Sequence, residues 1–318
     1  MSEYSSTVVV PTMSPVRIAS LLRTLDLEAA NAELIVVDNR EQAEADSDPI
    51  AESSRIRVLR PGRNLGYSAA VNLAAREAGG DSLVLLNDDC TVEEGFVERI
   101  TSALDPPSGF TMAAGVMRQA SDPGLIDSAG MELDSTLLVF DYLHGQPVSL
   151  LVEGAPDPVG PSGAAAAFDR KSFLQAGGFD EALFAYWEDV DLVLRLRQRG
   201  ERCRLAAEAL GTHQHSMTLG SGSREKNRLM GFGRGYVLRK WSVLTLRRWP
   251  SVVARDIPIC LGQMVIDRNL TGVTGRFQGM RAGTERNPYP EDLPESASLV
   301  KNLSRRFRRR KKIGTAGS

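Results

Sequence analysis

The run Ser82-Leu83-Val84-Leu85-Leu86-Asn87-Asp88-Asp89 sets the frame for the whole chain. Ser82 to Leu86 reads as a strand, and it gives way at once to two adjacent carboxylates. An acidic pair at a strand end points to a hard divalent cation, Mg²⁺ or Mn²⁺, because these ions prefer carboxylate oxygen. The plainer reading is that acidic residues favour the start of the next helix, expected over 93–104. Upstream, Thr7–Val10, Leu34–Val37 and Ile56–Leu59 read as strands, with helices expected over Val16–Leu27 and Tyr67–Ala78. This alternation argues for an α/β fold with a mostly parallel, Rossmann-like sheet flanked by helices. Ligands of such sheets bind beyond the carboxyl ends of the strands. Asp38, Arg63-Asn64 and Asp88-Asp89 all fall at or just after such ends.

A second acidic cluster closes the stretch Gly177-Gly178-Phe179-Asp180-Glu181-Ala182-Leu183-Phe184-Ala185-Tyr186-Trp187-Glu188-Asp189-Val190-Asp191. Glu188, Asp189 and Asp191 crowd together behind two aromatics, at the start of a helix expected to run to Arg199. Carboxylates held near apolar rings gain proton affinity, which suits one of them to remove a proton. Asp189 is the preferred base and Glu188 its competitor, while Asp191 fits a helix-start role paired with Arg195 one turn on. A cation site and a base, far apart in sequence, together point to group transfer from a phosphorylated donor.

Other signals are weaker. Asp38-Asn39 could receive a nucleotide base or form a turn. Asn64-Leu65-Gly66-Tyr67 leads into a helix whose first amides could face a diphosphate or sugar. His213 and His215 lie in a loop rich in Gly, Ser and Thr, expected over 211–223, and His213 could ligate the cation or touch phosphate. Gly231-Phe232-Gly233-Arg234-Gly235 lacks the spacing of a dinucleotide loop and falls inside a basic helical pattern expected over 224–248.

The 318 residues have a net charge of −2 that hides an asymmetry. Residues 1–223 hold 17 Lys/Arg and 33 Asp/Glu, and residues 224–318 hold 21 and 7. An acidic body with a basic tail implies two environments, one for chemistry and one for an anionic surface. Seven of the eight residues from Arg305 to Lys312 are basic. With Trp241 and Trp249 on the preceding segment, this points to peripheral attachment at an anionic membrane face, expected to be the inner face of the cytoplasmic membrane. No apolar stretch is long enough to span a bilayer. Three isolated cysteines suit a reducing compartment, and nothing marks a nucleic-acid-binding protein.

Taken in order, Val8-Val9-Val10-Pro11-Thr12, Val36-Val37-Asp38-Asn39, Asn64-Leu65-Gly66-Tyr67, Leu86-Asn87-Asp88-Asp89, Ser162-Gly163-Ala164, Gly178-Phe179-Asp180-Glu181 through Asp191, and His213 with Ser216 and Thr218 resemble the family-2 inverting glycosyltransferases, in particular their bacterial rhamnosyltransferase-like branch. The resemblance covers about residues 6–245. It implies a GT-A fold, a nucleotide-sugar donor (dTDP- or UDP-linked, rhamnose favoured), Mg²⁺ or Mn²⁺, and inversion without a covalent intermediate. The expected membrane attachment would set the protein beside a glycan or lipid-linked saccharide acceptor. By position, Asp38 is the expected base-recognition residue, with Asn64, Gly66 and Asp88 on the donor. Asp89, Asp88 and His213 are the expected metal residues, and Asp189 the base. One departure is Pro11-Thr12-Met13-Ser14, which lacks the aromatic-Asn-Arg sequence common there. The expected organisation is a catalytic domain over 1–223, a basic helical extension over 224–282 and a loose tail over 283–318. A sugar-nucleotide pyrophosphorylase is the main rival, but it needs a Gly-rich basic loop where Pro11–Pro15 stands. A non-catalytic scaffold of the same fold is the other.

Overall fold

The computed structural model describes residues 4–47, 50–152, 154–213, 222–291 and 293. The basic run 305–312 and His215, Ser216 and Thr218 lie outside the described residues.

The first half builds the parallel part of the sheet. Strand β1 (Ser6–Thr12) leads through α1 (Pro15–Leu22) to β2 (Ala32–Asp38), then α2 (Gln42–Ser47), β3 (Ile56–Leu59), α3 (Gly66–Glu77) and β4 (Ser82–Leu86). These strands pair in the order β3-β2-β1-β4, all parallel. Apolar side chains alternate between the two faces, as a period of two requires. Val9, Ile35, Val37, Leu83 and Leu85 join one core cluster. Val8, Val10, Leu34, Val36, Val84 and Leu86 join the other. Both faces are therefore covered, and the strands read as continuous apolar runs.

Beyond Leu86 the pattern changes. The chain forms β5 (Cys90–Val92), α4 (Phe96–Ser102), β6 (Phe110–Gln119), β7 (Asp122–Ser128), a small ribbon of β8 (Met131–Leu133) and β9 (Val139–Asp141), then β10 (Ala165–Asp169), α5 (Arg170–Gln175), α6 (Glu188–Gln198) and β11 (Arg202–His213). β10 inserts antiparallel between β4 and β6, β11 runs parallel to β6, and β5 closes that edge antiparallel. β7 returns as a hairpin on β6. The sheet is thus mixed: its first half is all parallel, while its second half keeps one parallel pair, β6 with β11, among antiparallel ones, and β6 returns directly into β7 by the short antiparallel route.

Several boundaries shift from the expected ones. α1 stops at Leu22 rather than Leu27, and α4 starts at Phe96 because Cys90–Val92 is drawn into β5. The basic pattern over 224–248 is not one helix. α7 (Arg224–Lys240) ends at Trp241, followed by α8 (Trp249–Ile266) and α9 (Thr271–Ala282). The break has a cause: Trp241 is fully buried and its indole Nε1 donates to Asp191 Oδ1 at 3.0 Å, so the chain must turn to insert the ring. The expectation that Trp241 faces a membrane is therefore wrong. Trp249 is half-exposed.

The glycines of Gly231-x-Gly233-x-Gly235 serve packing. A Cβ at Gly231 or Gly235 would strike the carbonyls of Gly272 or Arg276 on α9, and one at Gly279 would strike that of Phe232. Gly233 faces the Trp187 ring. Small residues at this spacing let two helix backbones touch.

Candidate active site

A cleft of about 580 Å³ opens at the carboxyl ends of β1, β2 and β4. Asn64, Gly66, Asp88 and Asp89 line one side, and Gly163, Glu188 and Asp189 the other.

The two strand-end carboxylates diverge. Asp88 turns toward the β1–α1 junction, where its Oδ2 accepts from Thr12 Oγ1 at 2.6 Å and lies 3.2 Å from the Arg17 guanidinium. Burial raises its pKa despite the opposing effects of Thr12 and Arg17. Asp89 turns the other way, its Oδ1 lying 3.2 Å from His213 Nε2. The opposite ring nitrogen of His213 is 3.3 Å from Asp127 Oδ2. This arrangement arises because β11 ends at His213, paired in register with Cys90 directly after Asp89, while Asp127 comes from β7. Burial would lower the pKa of His213, but hydrogen bonds to Asp127 and Asp89 outweigh it and push the ring up to about 9. Two carboxylates thus favour a positive charge here.

Ligand atoms of Asp89, Cys90 and His213 lie within 4.8 Å of one another. Burial raises the Cys90 thiol well above its usual value, so it stays protonated and is a poor ligand for a hard ion. A carboxylate and an imidazole backed by a second carboxylate suit Mn²⁺ or Mg²⁺ in donor type. The residues present therefore fit a divalent cation.

The opposite wall is set by backbone geometry. Tyr186 and Trp187 have φ of 70° and 75°, two consecutive non-glycine residues in the left-handed region. Such strain is rare and is held only where the surroundings enforce it. Trp187 is enforced by Gly233 beneath it and by the buried Arg234, whose guanidinium lies 5.5 Å from the ring centroid. The turn begins α6 with its first carboxylates at the cleft. Asp189 Oδ1 accepts from Val190 N at 2.8 Å and Oδ2 from Gly163 N at 3.3 Å. Burial raises its pKa against those two hydrogen bonds. Glu188 is raised well above its usual value, first by burial and then by Asp189, and its Oε2 is buried without a hydrogen-bond partner.

Asp191 points away from the cleft. It is fully buried and accepts from Arg195 Nε at 2.9 Å, Lys240 Nζ at 3.1 Å and Trp241 Nε1 at 3.0 Å. Lys240 also reaches Asp180 at 2.7 Å. The pairing expected with Arg195 is present, and it extends to α7.

On the donor side, Gly66 has φ of 78°, and a Cβ there would strike the Phe184 carbonyl, which accepts from Tyr67 N at 2.7 Å. This glycine lets α3 dock on the segment preceding Glu188 and Asp189. Asn64 Oδ1 caps Gly66 N at 2.9 Å. Asp38 is fully buried at the end of β2, and both its oxygens are held by Arg40, at 2.8 and 2.7 Å. Asn39, next to it, lines the cleft. Burial would raise Asp38, but Arg40 prevails and its pKa is lowered.

Residue types and spacing gave no sign of Asp127, Arg17 or Thr12. Asp127 is one acidic residue in a short hairpin, brought to His213 by strand pairing alone. The Tyr-Trp pair was visible, but its left-handed backbone was not.

The chain matches the family model "Glycosyl transferase family 2" over residues 7–129. It is 28% identical over 226 residues to a "Pre-mycofactocin glycosyltransferase" of Mycobacterium tuberculosis, covering 69% of this chain and 44% of that protein. It is 28% identical over 194 residues to an "N-acetylglucosaminyl-diphospho-decaprenol L-rhamnosyltransferase" of the same organism, covering 52% of this chain and 61% of that one. The chain thus spans about half the length of the curated relatives it matches. Among solved structures it resembles GalNAc-T7 with UDP, GalNAc and Mn²⁺ (TM-score 0.59, 15% identity, 75% of this chain and 48% of that one). It also resembles the mannosyltransferase PcManGT from Pyrobaculum calidifontis with GDP-Man and Mn²⁺ (TM-score 0.50, 16% identity, 94% and 79%). Residues 7–129 thus match the family-2 glycosyltransferases, and the chain is built on the GT-A fold that these solved structures share.

Proposed function

We propose that the protein is a metal-dependent inverting glycosyltransferase. It moves a sugar from a nucleotide-diphosphate donor, dTDP- or UDP-linked, to a hydroxyl of a lipid-linked saccharide or cell-envelope glycan. The observation that carries this is the strained Tyr186–Trp187 turn, which holds a carboxylate of raised pKa in the same cleft as the strand-end acidic pair. Rhamnose is the favoured sugar, supported by the name of one relative.

Asp89 and His213 would hold the cation, with Asp127 behind the ring, while Asp88, expected as a further metal residue, is turned away to Thr12 and Arg17 and borders the donor instead. A bound cation supplies positive charge for a departing diphosphate. Asn64, Gly66 and the first turn of α3 border the donor, and Asn39 borders the nucleoside end, whereas Asp38, expected to receive the base, is buried behind it with both oxygens held by Arg40. Asp189 takes the proton of the acceptor hydroxyl. The acceptor oxygen bonds to the anomeric carbon from the face opposite the diphosphate, and the bond to phosphate breaks with its electron pair leaving on the diphosphate. Base catalysis of this kind contributes about 10²–10⁴-fold. The raised pKa of Asp189 improves its match to a hydroxyl proton. We also propose that the catalytic part spans 1–223, that 224–282 is a helical extension, and that the basic tail attaches the protein to an anionic membrane face.

A donor panel tests this reading. Thermal protection by one nucleotide sugar with Mn²⁺, followed by release of nucleoside diphosphate on adding acceptor, is the expected result. Release of pyrophosphate would transfer the assignment to a sugar-nucleotide pyrophosphorylase.

A further inference from the structure

Helix α8 is built inside out. Its charged residues face the protein: Arg255 pairs with the buried Asp134, and Asp256 lies 3.1 Å from the buried Arg234. Val252, Ile259 and Gln263 lie on the same inward side, with Gln263 Nε2 donating to Asn227 at 3.2 Å. The outward row Trp249, Val253, Ile257, Leu261, Val265 recurs every fourth residue and is apolar throughout, 40–70% exposed. Met264, Ile266, Leu270 and Phe277 are exposed as well. Of the sixteen exposed large hydrophobics among the described residues, eleven fall between Leu244 and Phe277. An ordinary surface helix has the opposite polarity, and an apolar patch of this extent marks a contact surface.

We propose that the outward face of α8 is a membrane-docking surface that lies in the plane of an anionic lipid leaflet. Three observations favour a bilayer over a second copy of the chain. Residues 224–282 contain twelve Lys/Arg and three Asp/Glu. Arg247 and Arg248 stand at one end of α8 and Arg268 at the other, so a two-fold copy would bring like charges together, whereas anionic headgroups complement them. Trp249 is half-exposed at the helix start, where an indole suits the boundary between headgroups and acyl chains. The helix is 18 residues, about 27 Å at the usual rise, and no described helix is long and apolar enough to cross a membrane. It therefore lies on the surface rather than spanning it. Inward residues Gln263 and Ile259 share a cavity with Trp187, the residue before Glu188 and Asp189, so α8 joins the docking surface to the wall of the cleft. The proposal deepens the lipid-linked-acceptor reading and rests on it for its purpose, but its test does not depend on transfer.

The test is flotation of the full chain with phosphatidylglycerol/phosphatidylcholine vesicles, compared with Ile257→Asp/Leu261→Asp and with Arg308→Gln/Arg309→Gln/Arg310→Gln. The wild type should float with the anionic vesicles, and the α8 double variant should lose about tenfold or more of its bound fraction, as expected when charge replaces the apolar face of an interfacial helix. The tail variant, which weakens only the attraction to headgroups, should lose clearly less of its binding than the α8 variant. A second readout uses the wild-type fold: vesicles should shift tryptophan emission to the blue, and Trp249→Phe should abolish the shift, because Trp187 and Trp241 are buried. Equal flotation of wild type and double variant, or no emission shift, overturns the proposal. So does a wild-type dimer in light scattering that the double variant dissociates, which would make α8 an interface between copies. Donor-induced thermal protection in the same variants reports the catalytic reading separately.

Discussion

Asp189 and Glu188 are adjacent, both have raised proton affinity, and their surroundings separate their roles. Asp189 accepts two backbone hydrogen bonds at the cleft, whereas Glu188 keeps a buried oxygen without a partner. Asp189→Asn should therefore bind donor as the wild type does and lose about 10²–10⁴-fold in kcat. Turnover with donor titration checks this, and near-wild-type kcat would pass the role to Glu188. For Glu188 the raised folded pKa has a definite sign. Its stabilising share is present below the unfolded value and is lost as pH rises through the folded value. Glu188→Gln cannot ionise, so its unfolding temperature should fall less than that of the wild type as pH rises above the ordinary carboxylate range. Parallel curves would refute that account. At the metal corner, Asp127 orients His213 without a place in the expected ligand set. Asp127→Asn should weaken Mn²⁺ binding by about 10–100-fold, read from the electron paramagnetic resonance of the free ion rather than from turnover. Asp88, Asp89, Glu188, Asp189 and His213 were legible as residue types at strand ends, a helix start and a loop. Asp127 was not, since strand pairing brings it to the site from 86 positions away.

At the scale of elements, Ile56–Leu59 and Ser82–Leu86 carry their own local signal and form as read. The second half of the sheet does not. β10 contains Ala165-Ala166-Ala167 and β6 contains Met112-Ala113-Ala114, residues with little intrinsic strand preference, which become strands by pairing with each other and with β4. The end of α7 was hidden for another reason. Its helical period continues through Trp241, and only the buried carboxylate of Asp191 draws the ring inward. Two substitutions test these joints. Gly279→Ala should press a methyl group on the Phe232 carbonyl and cost about 1–3 kcal/mol as overpacking, seen in denaturant unfolding. Lys240→Met leaves Asp180 and Asp191 short of their shared cation and should cost about 3–5 kcal/mol, as when one partner of a buried pair is removed. A loss no larger than that of an exposed lysine would show that the network is held by Arg195 and Trp241 alone.

In the molecule as a whole, the acidic and basic parts divide the labour along the chain but not in space. The family match ends at residue 129, and the proposed base, Asp189, stands on α6, well beyond it. That helix is fastened from behind by Lys240 and Trp241, and its strained entry is braced by Gly233 and Arg234. The consequence concerns modularity. A gene cut after Ser223 would encode a complete sheet, every expected ligand and the base, yet α6 would keep a buried carboxylate, Asp191, with only Arg195 beside it. Grafting this sheet onto a foreign C-terminal segment should therefore yield chimeras that aggregate or are inert unless residues 224–282 travel with it, so that the buried Arg234 keeps Asp256 of α8 and the glycines of α7 keep their contact with α9. Recombination breakpoints tolerated by the fold are expected after Ala282, not before Arg224, and a library of crossovers scored for soluble expression would map that boundary directly.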